Sequence, residues 1–243
     1  MTATGPLSLL AVGCARDRPV QVTGGAAADQ VAAYRDHTER AVELVEGLWG
    51  EATVALPVRL DLPADAVRWS SATGHAETED EIPASTVSRG DTRTIVVHPG
   101  AWGRLTEEGR QAVLTHEVTH LAQPPGRVPW WLQEGSAEFT AHRSSRSAPR
   151  SIAGAQWDAL VADPPARWPE PTPGEGAGRW SSYAAAWSTC LAVATEHGDG
   201  AVPRWHRAVA ETGSLEAGSL AALGRSSEDL CRGWSAWLAA QPL

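Results

Sequence analysis

The clearest chemical signal in the chain is a pair of histidines with a glutamate between them. His116–Glu117–Val118–Thr119–His120 has the pattern H-E-x-x-H. In a helix, residues 116 and 120 lie one above the other, so both imidazoles can reach a single metal ion. Glu117 lies one step round the helix, where its carboxylate flanks the ion and can take a proton from water. The pattern therefore predicts a metal site beside a general base.

A third ligand candidate follows on the next predicted helix. A catalytic zinc ion takes three protein ligands and keeps a fourth position open. The break at Pro124–Pro125–Gly126 turns the chain back, so that a second helix can lie against the first and bring Glu134 to the two histidines. Two imidazoles and one carboxylate form a set suited to Zn²⁺, which is the cofactor that these residues predict.

Trp131–Leu132–Gln133–Glu134–Gly135–Ser136–Ala137 matches the pattern W-L-x-E-G-x-A. With the H-E-x-x-H segment, it resembles the gluzincin metallopeptidases, which include the thermolysin and aminopeptidase-N families. The closer likeness is to bacterial peptidase MA-like domains, because the connection between the two motifs is shorter than in the aminopeptidases. The resemblance covers residues of about 93–240, and only 116–138 specifically. It implies a zinc-dependent peptidase with His116, His120 and Glu134 as ligands and Glu117 as general base.

Two further residues take roles from the same resemblance. Glu138 lies four residues beyond Glu134 and corresponds to an acidic residue that orients a ligating histidine, although an exposed helical glutamate is the alternative. Tyr183 corresponds to a tyrosine that stabilises the developing oxyanion, and a half-buried structural tyrosine is the alternative. His206 is a weaker candidate for that role, and His142 is a weaker candidate for the metal. The aminopeptidase pattern G-x-M-E-N is absent, since the only methionine is Met1, which argues against aminopeptidase activity.

Hydrophobic periodicity and turn residues predict the elements that must position these side chains. Thr106 is a candidate N-cap for the helix that carries the first motif, and Pro129 opens the helix that carries the second. Residues 70–92 are polar and turn-rich. The predicted helices cover 29–49, 106–122, 129–142, 181–196, 202–211, 215–223 and 227–239, with one short helix near 156–161, and the predicted strands cover 54–62 and 94–98.

These elements predict an α+β protein with a zincin-like fold. A small mixed N-terminal sheet with the active-site helix precedes an all-α C-terminal lobe. The predicted division is a flexible segment over 1–28, a catalytic lobe over 29–142, a loop or linker over 143–180 and a helical lobe over 181–243. The strand Thr94–His98 is expected to form the edge of the cleft and to pair with an extended peptide.

Composition limits the partners. The net charge is −9 over 243 residues, which argues against nucleic acid and anionic membrane surfaces. No apolar run is long enough for a transmembrane span. A peptide or protein substrate remains the expected partner, and the oligomeric state is open. The rival function is a non-catalytic zinc-binding domain or a substrate-binding lipoprotein domain that keeps the gluzincin fold.

The three cysteines leave two questions open. Ala11–Val12–Gly13–Cys14 resembles a bacterial lipobox, which predicts an extracytoplasmic protein anchored through lipid on Cys14. No Arg or Lys precedes this short apolar run, so a cytoplasmic protein with an ordinary N-terminal segment is the alternative. Cys190 and Cys231 lie on predicted helices, where they either form a disulfide or remain buried thiols.

Overall fold

The sheet of this protein has four strands and is mixed. A computed structural model describes residues 20–79, 81–170 and 177–242. The strands are β1 (Val20–Gly24), β2 (Val58–Leu62), β3 (Ala84–Arg89) and β4 (Thr92–Val97), and their order in the sheet is β1-β2-β4-β3. Strands β1, β2 and β4 run parallel to one another, whereas β3 is antiparallel to β4. The predicted α+β class is confirmed.

Helices make up most of the rest of the chain. The N-terminal part contains α1 (Ala28–Trp49), α2 (Ala66–Thr73), α3 (Ala101–Arg104) and α4 (Glu107–Ala122). The part after α4 contains only helices among its described elements: α5 (Trp130–His142), α6 (Pro149–Ala153), α7 (Ala155–Ala162), α8 (Ala177–His197), α9 (Ala201–Thr212), α10 (Leu215–Leu223) and α11 (Ser227–Ala239). The predicted helices are all present, within a few residues of their predicted ends.

Local signals set the ends of the two helices that carry the motifs. The hydroxyl of Thr106 accepts a hydrogen bond from the Gly109 amide at 3.1 Å, which caps the start of α4. Helix α4 ends at Ala122, just before the two prolines. Pro129 directly precedes α5, as its lack of an amide hydrogen favours.

The two motif helices belong to different hydrophobic cores. Leu114 and Val118 of α4 are buried against the sheet and α1. Trp131 and Leu132 of α5 are buried in a second core with α8 and α9. The contact between α4 and α5 therefore joins the two cores at the place where the candidate ligands lie.

Several boundaries differ from the prediction. Residues 20–24 form β1 on the edge of the sheet, so the expectation of a flexible segment through residue 28 is wrong for this stretch. Strand β2 begins at Val58 rather than at Val54, because Pro57 has no amide hydrogen to donate to a strand ladder. The segment 143–180 contains α6 and the start of α8 as well as the predicted short helix, α7.

Two of the three cysteines, Cys190 and Cys231, lie in the described part of the chain. Cys190 and Cys231 are free, buried thiols, so the disulfide alternative does not hold. Burial raises the pKa of Cys190 to about 12. Cys14 lies outside the described residues. Across those residues, no helix has both the length and the apolar character that a membrane crossing requires.

Candidate metal centre

The three predicted ligands lie together where α4 meets α5. One donor atom from each of His116, His120 and Glu134 falls within 4.8 Å of the other two. The α4 helix presents both imidazoles on one face, and α5 brings the carboxylate to them. The expected convergence of these side chains is confirmed, and the group could hold a metal ion.

The spacing of the donor atoms fits a small tetrahedral cation. The Nε2 atoms of His116 and His120 are 3.0 Å apart. The Oε2 atom of Glu134 lies 3.3 Å from the first and 3.5 Å from the second. Ligands at zinc bond lengths and tetrahedral angles are separated by about 3.4 Å. The three side chains therefore need little rearrangement to accept such an ion.

Glu138 contacts His116 at the ring nitrogen that does not face Glu134. Its Oε1 atom is 3.2 Å from His116 Nδ1, and its Oε2 atom is 3.3 Å from His142 Nε2. A carboxylate there accepts the Nδ1 hydrogen, which leaves His116 Nε2 as the donor atom toward a metal. His142 contacts Glu138 and is not one of the three clustered residues.

Burial and neighbouring charges shift the pKa values of the cluster in opposite directions. Burial by itself lowers the pKa of His116, but Glu138 and Glu134 outweigh it and raise the pKa well above the usual value. The pKa of His120 is raised because Glu134 outweighs burial in the same way. Burial by itself raises the pKa of Glu138, yet His116 and His142 lower it to about 2. Burial by itself also raises the pKa of Glu134, but His116 and His120 outweigh it and lower this pKa. The two carboxylates therefore stay ionised, and they favour positive charge on the imidazoles beside them.

Glu117 lies beside the cluster and is held by a residue that the sequence pattern does not indicate. Its side chain is 7% exposed. The hydroxyl of Thr86 donates to Glu117 Oε2 at 2.7 Å. Thr86 therefore holds one carboxylate oxygen of Glu117, and both residues line the cleft.

Thr86 was missed because strand β3 was missed. Residues 84–89 are mostly small and polar, which hides the strand in a segment that reads as turns. The signal that could have found it is Gly90–Asp91, a two-residue hairpin turn of a favoured type ahead of β4. Strand β4 lies between β2 and β3. The prediction that Thr94–His98 forms the cleft edge is therefore wrong, since the antiparallel hairpin puts β3 outside it.

A cavity of about 910 Å³ opens in front of the cluster. Strand β3, both motif helices and α8 contribute to its walls. Tyr183 lines it from α8, with its ring 6.3 Å from that of His116 and 5.3 Å from that of Trp130. Burial and then the nearby carboxylates Glu134 and Glu138 raise the pKa of Tyr183, so its hydroxyl keeps its proton.

His206 is placed differently from the sequence expectation. Its side chain is 1% exposed and packs edge-on against Trp49, 5.3 Å between ring centres. It is not among the described residues that line the cavity. Burial, followed by the charges of His120 and Arg207, lowers its pKa to about 4. The structure therefore does not support His206 as an oxyanion donor.

Comparisons with protein-family models, curated proteins and solved structures find no match for this chain.

Proposed function

We propose that this protein is a zinc-dependent metallopeptidase of the gluzincin type. The observation that carries the proposal is the convergence of two imidazole nitrogens and one carboxylate oxygen at 3.0–3.5 Å, with Glu117 beside them on the cavity wall. Imidazole nitrogens and a carboxylate oxygen at such distances share either a proton or a metal cation. Within the described residues, the clustered group contains three ligand candidates, which leaves room for solvent or substrate at a catalytic ion.

The nature of the donors favours zinc. Two neutral imidazoles and one carboxylate form a ligand set used by catalytic zinc, held here by His116, His120 and Glu134. When bound, the ion would supply a Lewis acid that makes a water molecule more acidic and polarises a carbonyl oxygen.

Glu117 is the residue that moves the proton. Its carboxylate accepts a proton from water as the water oxygen attacks a peptide carbonyl carbon. When the carbon–nitrogen bond breaks, Glu117 returns that proton to the leaving amine. Tyr183 keeps its hydroxyl hydrogen and is available to donate to the oxygen on which negative charge develops.

The cavity offers a place for an extended peptide. Strand β3 is the outermost strand on its side of the described sheet, and it lines the cavity. The free backbone groups of an outer strand can pair with a peptide laid alongside it. This arrangement favours a peptide or protein substrate over a small molecule.

The proposal is tested with Glu117→Gln. The amide cannot accept the proton, so cleavage of a broad peptide library is expected to fall by about 10²–10⁴-fold. Zinc content, measured by metal analysis of the purified protein, is expected to stay at the wild-type value. A chelator should abolish cleavage by the wild type, and added zinc should restore it.

Glu108→Gln is the matched control. It makes the same chemical change at an exposed position of the same helix, and cleavage should persist. Full activity of Glu117→Gln would remove Glu117 from the mechanism. Zinc binding without cleavage of any peptide would favour the non-catalytic domain, and protein without zinc would exclude both.

A further inference from the structure

Gln123 lies between the two helices that carry the candidate ligands. It is the first residue after α4, and it is 6% exposed. Its Oε1 atom is 2.9 Å from His120 Nδ1. Its Nε2 atom donates to the carbonyl oxygen of Gln133 at 2.8 Å and to the hydroxyl oxygen of Ser136 at 3.0 Å. Both ends of this buried amide are therefore hydrogen-bonded.

These partners decide how the amide of Gln123 is oriented. A backbone carbonyl oxygen can only accept, so the NH₂ group must face Gln133. The amide oxygen then faces His120 and can only accept as well. His120 must therefore carry its hydrogen on Nδ1. In the neutral ring this leaves a lone pair on Nε2, the atom that faces His116 and Glu134.

The same side chain reaches the backbone that carries the carboxylate. Gln133, whose carbonyl oxygen accepts from Gln123, directly precedes Glu134 in α5. The Gln123 amide thus connects His120 of α4 with the peptide group that directly precedes Glu134 in α5. Ser136 supports this arrangement, because its hydroxyl donates to the same carbonyl oxygen at 3.0 Å.

On the basis of the zinc site proposed above, we propose that Gln123 is a positioning residue for the metal. It selects the ring nitrogen through which His120 binds zinc, and it sets the spacing between His120 and Glu134. This role differs from that of Glu138, which acts on His116 from within α5.

The first test is Gln123→Met, which keeps an unbranched side chain of similar length and removes the amide. Loss of a residue that supports a ligand typically weakens metal binding by about 10–100-fold, and a loss in this range is expected for zinc. Affinity is measured by competition with a chromophoric chelator. The visible spectrum of the Co²⁺-loaded protein should change as well, because His120 and Glu134 no longer hold their positions.

Thr119→Val is the matched control. Its hydroxyl is fully buried on the same helix and donates only within α4, to the Thr115 carbonyl oxygen at 2.7 Å. The change removes a buried hydrogen bond without touching a ligand candidate. Zinc affinity and the Co²⁺ spectrum of Thr119→Val should match the wild type. Wild-type affinity and an unchanged spectrum in Gln123→Met would overturn the role of Gln123.

A second measurement needs no variant. Nitrogen-15 NMR of the zinc-loaded wild type should show His120 protonated at Nδ1 and bound to the metal through Nε2. A proton on Nε2 would overturn the proposal even if Gln123→Met fails to fold. A wild type that binds no zinc would instead contradict the proposed function. Zinc binding that is equally strong in the wild type and in Gln123→Met would contradict only the inference about Gln123.

Discussion

At the scale of single residues, one hydrogen bond fixes the carboxylate of Glu117. The hydroxyl of Thr86 donates to one carboxylate oxygen at 2.7 Å. A fixed donor on one oxygen restricts rotation of the carboxylate, and both residues line the cavity. In the mechanism proposed above, Thr86 would therefore act through Glu117 and position it for the proton transfer.

Thr86→Val is expected to lower the turnover number by about 10–100-fold. Valine has nearly the shape of threonine, but it leaves a buried carboxylate oxygen without its donor, and a hydrogen bond to a charged group is worth about 1.5–3 kcal/mol. Steady-state cleavage of one identified peptide measures the effect. KM should change less than kcat, because Thr86 acts on the base.

Thr86→Ser is the conservative control, since it keeps the hydroxyl and should recover most of the rate. Zinc content should be the same in both variants. A valine variant that turns over as fast as the wild type would show that Glu117 is held adequately without this bond.

At the scale of elements, the position of Glu134 depends on how closely α5 approaches α8. Gly135 lies at the contact. A Cβ atom built there would lie 2.2 Å from the carbonyl oxygen of Ala186 and 2.7 Å from its carbonyl carbon. Both distances are far inside van der Waals contact, and both atoms belong to backbone that cannot move aside as a side chain would. The glycine of the W-L-x-E-G-x-A pattern thus permits the packing that presents Glu134.

Gly135→Ala is expected to lower the free energy of unfolding by at least about 1–3 kcal/mol, the usual cost of overpacking. Helix α5 must move away from α8, so zinc affinity should fall as well. Denaturant unfolding and chelator competition measure the two effects.

Gly47→Ala is the control for the glycine substitution. Gly47 lies in α1, and a Cβ atom there meets no neighbour within 4 Å. The change should raise stability by about 0.5–1 kcal/mol, because alanine loses less backbone entropy in a helix. Equal effects at the two glycines would contradict the close contact between α5 and α8.

At the scale of the whole molecule, a metal at this site would join two hydrophobic cores. The histidines belong to α4, which packs on the sheet, whereas Glu134 belongs to α5, which packs in the helical core. An ion bound to all three side chains binds the folded chain and not the unfolded one. Metal binding is therefore expected to stabilise the molecule as a unit.

Zinc in 100-fold excess over its dissociation constant should add about 2.7 kcal/mol to the free energy of unfolding. For a chain of this size, we expect the melting temperature to rise by about 5–10 °C, measured by scanning calorimetry with and without chelator. His120→Ala should abolish this rise. A rise of equal size in His120→Ala would place the stabilising zinc elsewhere on the protein.

Much of the candidate site could be predicted from the sequence because its residues lie close together along the chain. His116 and His120 are four residues apart, and helix geometry alone places them on one face. The ends of α4 are also local, since Thr106 caps one end and the prolines prevent continuation at the other. The next helix and its Glu134 follow from the short connection.

The tertiary structure decided the features that depend on contacts between residues distant in the chain. Thr86 reaches Glu117 across 31 positions, and it does so only because β3 is the outer strand beside α4. Cys190 and Cys231 lie on helices that could have formed a disulfide, yet their thiols are free. The sequence shows Gln123 only as a residue at the end of a helix, and its contacts with α5 exist only in the folded structure. Helical periodicity acts over a few residues, so it determines faces and ends, whereas packing determines which faces meet.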